Sequence, residues 1–161
     1  MKRCRLLRVG ICILVILSSV EVLLRLCFGL GAPVLSKADK DIDYFFKPNQ
    51  NVKRFGNRIS YNNYSMRMDY DLLTDRRNCS RRIIVCGDSV VNGGTLTDQK
   101  DVATSIVQTH YSTNELQVLN VSAGSWGPGN LAAFFRKFGC FDTTDIIIEV
   151  DSHDLWEDDP A

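Results

Sequence analysis

Residues 9–30 read VGICILVILSSVEVLLRLCFGL, a nearly unbroken apolar run of 22 residues. As a helix rising about 1.5 Å per residue it would reach about 33 Å, enough to cross a hydrocarbon core of about 30 Å. Lys2, Arg3, Arg5 and Arg8 stand immediately before it. The positive-inside tendency then puts residues 1–8 in the cytoplasm and everything after Leu30 on the other side. Glu21 and Arg25 interrupt the run four residues apart, so they share a helix face and are expected to pair near its outer end, where Arg25 can snorkel. A cleaved signal peptide is the competing reading, because Val9–Val20 has the length of an h-region. No small-x-small cleavage site directly follows it, and an uncleaved anchor over 9–30 is the expectation.

The anchor changes how composition is read. The formal net charge of the whole chain is zero, but residues 1–30 hold five basic residues against Glu21, a net +4. The other 131 residues therefore carry −4, and no global basic field is available to hold nucleic acid. The partner expected from this part of the sequence is the membrane, through residues 9–30. The six cysteines show no CxxC spacing, so neither a zinc site nor a disulfide framework is expected. Cys79 with Cys140 is the one disulfide considered.

Residues 31–80 show weak periodicity and read as a lead-in that packs on the domain beginning at Arg81. Within it, Tyr44 to Asn49 suggests an extended segment ending in a turn at Pro48-Asn49, and Arg58–Tyr61 suggests a short strand. From Arg81 the pattern sharpens. Arg82–Cys86 is a β-branched apolar run. Residues 101–111 have helical spacing with Val102, Ile106 and Val107 on one face. Leu116–Val121 reads as a second strand, Leu131–Phe138 as a second helix, and Asp145–Val150 as a third strand of buried type. Alternating strands and helices predict βαβ units and a parallel sheet covered on both faces.

Sites in such sheets gather at the carboxyl ends of the strands. Here those ends are Gly87-Asp88-Ser89-Val90-Val91-Asn92-Gly93, the Gly-rich stretch from Asn120 to Asn130, and Asp151-Ser152-His153-Asp154. No GxxxxGK[ST] occurs, so a P-loop is excluded.

The GDSxxxG block resembles block I of the SGNH, or GDSL-type, hydrolase superfamily. The resemblance implies a flavodoxin-like parallel sheet in a three-layer αβα fold, of which 81–161 would be the N-terminal part. It also implies that Ser89 is a nucleophile, with Asp88 in support and the Ser89 N–H in the oxyanion hole. A second donor would come from the turn after the second strand, where Gly124, Ser125 and Gly127 all stand as candidates. The family usually has G-x-N-D after its third strand. Here His153 occupies the Asn position and Asp154 is kept. A neutral imidazole retains one N–H, so His153 is expected either as an oxyanion donor or as base to Ser89. The anchor, Tyr44 to Asn49 and Asn62 to Arg67 together are similar to membrane-anchored bacterial members associated with surface polysaccharide. The resemblance thus implies an ester or acylated glycan as substrate, and no metal or nucleotide cofactor.

Members complete their site with a downstream Asp-x-x-His, and none follows Ser89 in these 161 residues. The expectation is a C-terminally incomplete hydrolase with negligible esterase activity on its own. The alternative is a non-catalytic, membrane-anchored assembly or binding module that keeps the fold.

Overall fold

A computed structural model describes residues 2–76 and 79–150. The chain opens with a single helix, α1 (Lys2–Phe28), whose stretch Arg5–Phe28 is long and apolar enough to cross a membrane. Its apolar side chains are exposed along its length. Glu21 and Arg25 pair at 2.7 Å, as their spacing predicts.

Two antiparallel hairpins come next. The first joins β1 (Ser36–Asp39) to β2 (Asp43–Phe46). The second joins β3 (Gln50–Arg54) to β4 (Asn57–Tyr61). Then comes the α/β part: β5 (Arg81–Gly87), α2 (Ser89–Asn92), a single 3-10 turn at Gln99–Asp101, α3 (Ala103–Thr109), β6 (Leu116–Ser122), α4 (Pro128–Phe138) and β7 (Asp145–Ile148). The three strands form a parallel sheet in the order β6-β5-β7. This is a mixed α/β fold with β5 in the centre.

Strand alternation assigns the two sheet faces. Ile84 and Cys86 of β5 stand in register with Leu119 and Val121 of β6, and all four are buried. Leu131, Ala133 and Phe134 of α4 pack on this face. So do Ile42, Phe45, Met66, Met68 and Leu72. The segment before β5 therefore shares one core with the sheet. On the opposite face Asn120 meets Thr104 of α3 at 3.0 Å.

Two expectations are corrected here. The helix expected over 101–111 starts at Ala103, and its buried residue is Thr104. Val102 is buried just before it, but Ile106 and Val107 are each 45% exposed. The helix is short and covers a mixed face of β6, where Leu116 and Val118 are followed by Asn120 and Ser122, and hydrogen bonds supply part of the contact. Gln108 accepts from the Val118 N–H at 2.8 Å and donates to the Leu116 carbonyl at 2.9 Å. Its side-chain amide thereby occupies the free edge of β6 as a neighbouring strand would. The second correction concerns β7. It is a strand, but not a buried one: Ile146, Ile147 and Ile148 are 42%, 53% and 57% exposed. Among the described residues it has one neighbouring strand, β5. Cys79 and Cys140 are free thiols, so the disulfide considered for them is not formed.

Candidate functional site

Ser89 is exposed at the carboxyl end of the central strand, as the first residue of α2. The Asp88 side chain caps that short helix, accepting the Val90 N–H at 2.7 Å. Its other oxygen accepts from the Ser89 hydroxyl at 3.3 Å. Gly93 ends the turn in the left-handed region, φ 74°, and its N–H donates to the Ser89 carbonyl at 2.9 Å. A side chain at Gly87 would stand 2.8 Å from Val91 Cγ2 and 2.9 Å from Glu149 Oε2. The Glu149 carboxylate thus lies over Gly87, two residues before Ser89, while the Glu149 N–H donates to the Cys86 carbonyl at 2.9 Å. Glu149 escaped sequence reasoning, although a carboxylate inside the run Ile146–Val150 was a usable signal.

The turn after β6 begins level with Ser89's turn, because Gly87 and Ser122 are register partners. It is held from the lead-in. The Tyr44 hydroxyl donates to the Gly124 carbonyl at 2.7 Å, Trp126 Nε1 donates to the Tyr44 carbonyl at 2.9 Å, and Asn130 Nδ2 donates to the Ile42 carbonyl at 2.7 Å. Burial pushes the Tyr44 hydroxyl above its ordinary pKa. The Gly127 N–H donates to Asn130 Oδ1 at 2.9 Å, closing the first turn of α4. Of the three donor candidates, Gly127 thus has its N–H engaged. Among the described residues the N–H groups of Gly124 and Ser125 make no backbone hydrogen bond. Ser125 is itself in the left-handed region, φ 57°.

Behind Ser89 lies a buried polar network that the sequence did not announce. Asn92 accepts from the Tyr61 hydroxyl at 3.1 Å and donates to the Ser122 carbonyl at 2.9 Å. The Ser122 hydroxyl donates to Asn120, whose amide donates to the Val91 carbonyl at 2.9 Å. Arg67 is fully buried beside them. Its guanidinium donates to the carbonyls of Gly94 (2.5 Å), Thr97 (2.9 Å) and Asn92 (3.3 Å), and to Gln99 Oε1 (2.8 Å). Its own N–H donates to the Asn120 carbonyl at 3.1 Å. Desolvation lowers its pKa, but a guanidinium starts so high that it stays charged. Every hydrogen-bond acceptor on that guanidinium is neutral, so its role is to hold backbone.

Of the two histidines, His110 lies among the described residues. His110 ends α3, and its Nδ1 lies 2.8 Å from the Ile106 carbonyl; α3 runs back from the carboxyl edge, which carries His110 away from Ser89. His153 and Asp154 lie outside the described residues. Cys86 is no rival nucleophile, since burial raises its thiol pKa to about 11. A cavity of about 150 Å³ exists, but it lies between α3, β6 and Arg67–Tyr70, and neither Ser89 nor Gly124 lines it.

No family model, curated protein or solved structure matches this chain.

Proposed function

We propose that this chain carries an SGNH-type serine site for hydrolysis or transfer of O-acyl esters, with acylated surface glycan as the substrate class. The helix Arg5–Phe28 would anchor it, and the basic residues before that helix favour an outward-facing site. In this reading Ser89 Oγ gives its proton to a base and attacks the acyl carbon, the ester's alcohol leaves with a proton, and the acyl group then passes from Ser89 to water or to an acceptor hydroxyl. The N–H groups of Ser89 and of Gly124 or Ser125 receive the charge that develops on the carbonyl oxygen. Asp88 holds the short helix that presents Ser89. His153 adds a donor or accepts the Ser89 proton, and Asp154 supports it.

The observation that carries the reading is the placement of an exposed serine on a capped turn at the end of the central parallel strand. The segment after that turn is fixed by buried hydrogen bonds, so the hydroxyl is presented on rigid backbone. The reading of a non-catalytic module rests on a specific observation too: among the described residues no imidazole approaches Ser89.

Fluorophosphonate labelling of the protein, expressed from its entire reading frame, separates the two. The enzyme reading expects labelling that Ser89→Ala abolishes and His153→Ala slows by about a hundredfold or more, the scale of a lost general base or oxyanion donor. Folded protein that takes no label supports the binding module.

A further inference from the structure

The second hairpin breaks a local rule at its tip. Arg54 and Asn57 are register partners, so Phe55 and Gly56 form a two-residue turn with φ 51° and 85°. Turns with both central residues at positive φ favour Asn or Gly at the first position, and a bulky side chain there is a steric outlier. The Phe55 ring is 46% exposed, so burial in this chain does not explain it. The Arg54 guanidinium lies over that ring, 4.4 Å from its centroid.

The tip is also fixed in space. The Gly56 N–H donates to the Phe28 carbonyl at 3.1 Å. Gly29 approaches the hairpin so closely that any side chain there would overlap the Lys53 carbonyl. Backbone therefore meets backbone at the outer end of Arg5–Phe28, the stretch long enough to span a bilayer. Residues 50–61 contain Lys53, Arg54 and Arg58 and no acidic residue. Arg58 pairs with Asp69, whereas Lys53 and Arg54 stand in no ion pair among the described residues.

We infer that Lys53, Arg54 and Phe55 dock on the headgroup layer of the membrane that holds α1, with the two cations on anionic lipid phosphates and the Phe55 ring below them. A strained, exposed aromatic beside two unpaired cations suits a layer where acyl chains meet lipid phosphates. Such a contact would set the tilt of the whole α/β part against the bilayer. The inference rests on the reading that α1 spans the membrane.

Two tryptophan reporters test it in the full chain reconstituted into vesicles. Phe55→Trp is read with lipids brominated at the top of their chains, and Leu17→Trp, in the middle of α1, with lipids brominated at mid-chain. Both are measured against the parent's own Trp126 and Trp156 signal. Vesicles are phosphatidylcholine alone or mixed with phosphatidylglycerol. The expected result is quenching of Leu17→Trp in both, and quenching of Phe55→Trp at least about twofold stronger with the anionic lipid. Adding Lys53→Gln and Arg54→Gln should return Phe55→Trp to its phosphatidylcholine value. An unquenched Phe55→Trp beside a quenched Leu17→Trp overturns the docking while the anchor stands. Equal quenching in both vesicles overturns the anionic assignment. An unquenched Leu17→Trp removes the anchor and the docking with it.

Discussion

Arg67 and Arg82 are both buried, one at the carboxyl edge of the sheet and the other at its amino edge. Each guanidinium spends its donors on neutral oxygens. Arg82 donates to Gln117 Oε1 at 2.8 Å, to the carbonyls of Asp75 and Thr74 at 3.1 and 3.2 Å, and to the Phe141 carbonyl. Its own carbonyl accepts from the Thr143 hydroxyl and from the N–H and hydroxyl of Thr144. It thus gathers β6 and the stretches that lead into β5 and β7. Arg67 draws its guanidinium acceptors from one continuous segment, Asn92 to Gln99. Burial lowers the pKa of both groups. Similar chemistry therefore serves two ends: Arg82 ties the sheet together, and Arg67 holds the segment after Ser89.

The sharpest break in this comparison comes from truncating each arginine. Arg82→Ala should cost about 3 kcal/mol or more, because it strands several buried acceptors at once. The unfolding midpoint in denaturant, measured in detergent, should fall, and amide exchange should rise across all three strands together. Arg67→Ala should cost somewhat less globally, about 2–3 kcal/mol, since its acceptors lie in a loop that can open to water. Its signature is local: exchange at residues 92–99 should rise at least about tenfold beyond the rise in β5. If the two variants give the same exchange pattern, the division of labour fails.

Smaller changes sharpen the carboxyl edge alone. Asn92→Ala removes the bonds to Tyr61 and Ser122 and should cost about 1–2 kcal/mol. The Tyr61 hydroxyl, whose pKa burial raises, would then lose its acceptor. Tyr44→Phe removes one bond, that to the Gly124 carbonyl, and should cost about 1 kcal/mol. If Gly124 and Ser125 form part of the site, Tyr44→Phe should also slow fluorophosphonate labelling of Ser89. An unchanged rate would detach that turn from Ser89.

How much of the molecule was legible depends on which forces leave a trace in local pattern. β5, β6 and α4 were readable because β-branched runs and 3.6-residue spacing follow directly from burial. The Glu21–Arg25 pair was readable because four-residue spacing dictates it. The two arginines were not, because a charged side chain reads as surface until several distant carbonyls converge on it. The exposure of β7 was hidden for the converse reason, since an apolar run reports the strand but not its neighbours. β1, Ser-Lys-Ala-Asp, has no alternation because it buries neither face. At the candidate site, Gly87-Asp88-Ser89 stood out by its resemblance to the GDS block and by its place directly after an apolar strand. The engagement of Gly127 was also readable in principle, since Pro128 and Asn130 make a helix start. The Asn92 network needed three dimensions, and so did the place of the Glu149 carboxylate over Gly87.

The smallest expected effect is a pH dependence confined to the Arg67 side of the comparison. Asp98 Oδ2 accepts the Arg58 N–H at 2.8 Å and Oδ1 accepts the Lys100 N–H at 3.2 Å, bonding the β3–β4 hairpin to the end of the loop. The first of these bonds is the main reason its carboxyl sits below the usual range. A group whose pKa is lower folded than unfolded stabilises the fold above the unfolded value, about 3.9 for Asp, and loses that contribution as pH falls through the folded value. Exchange at 92–100, corrected for its intrinsic pH dependence, should therefore accelerate below about pH 4 in the parent. Asp98→Asn should show a modest acceleration already at neutral pH, because a neutral oxygen is a weaker acceptor. It should then show no further step in acid. The amino edge supplies the control: Asp145, held low chiefly by its bond to Arg81, is untouched by the substitution. Its acid response should persist in Asp98→Asn. Loss of both responses would mean that the two edges open as one unit, and that Arg67 and Arg82 do not divide the fold.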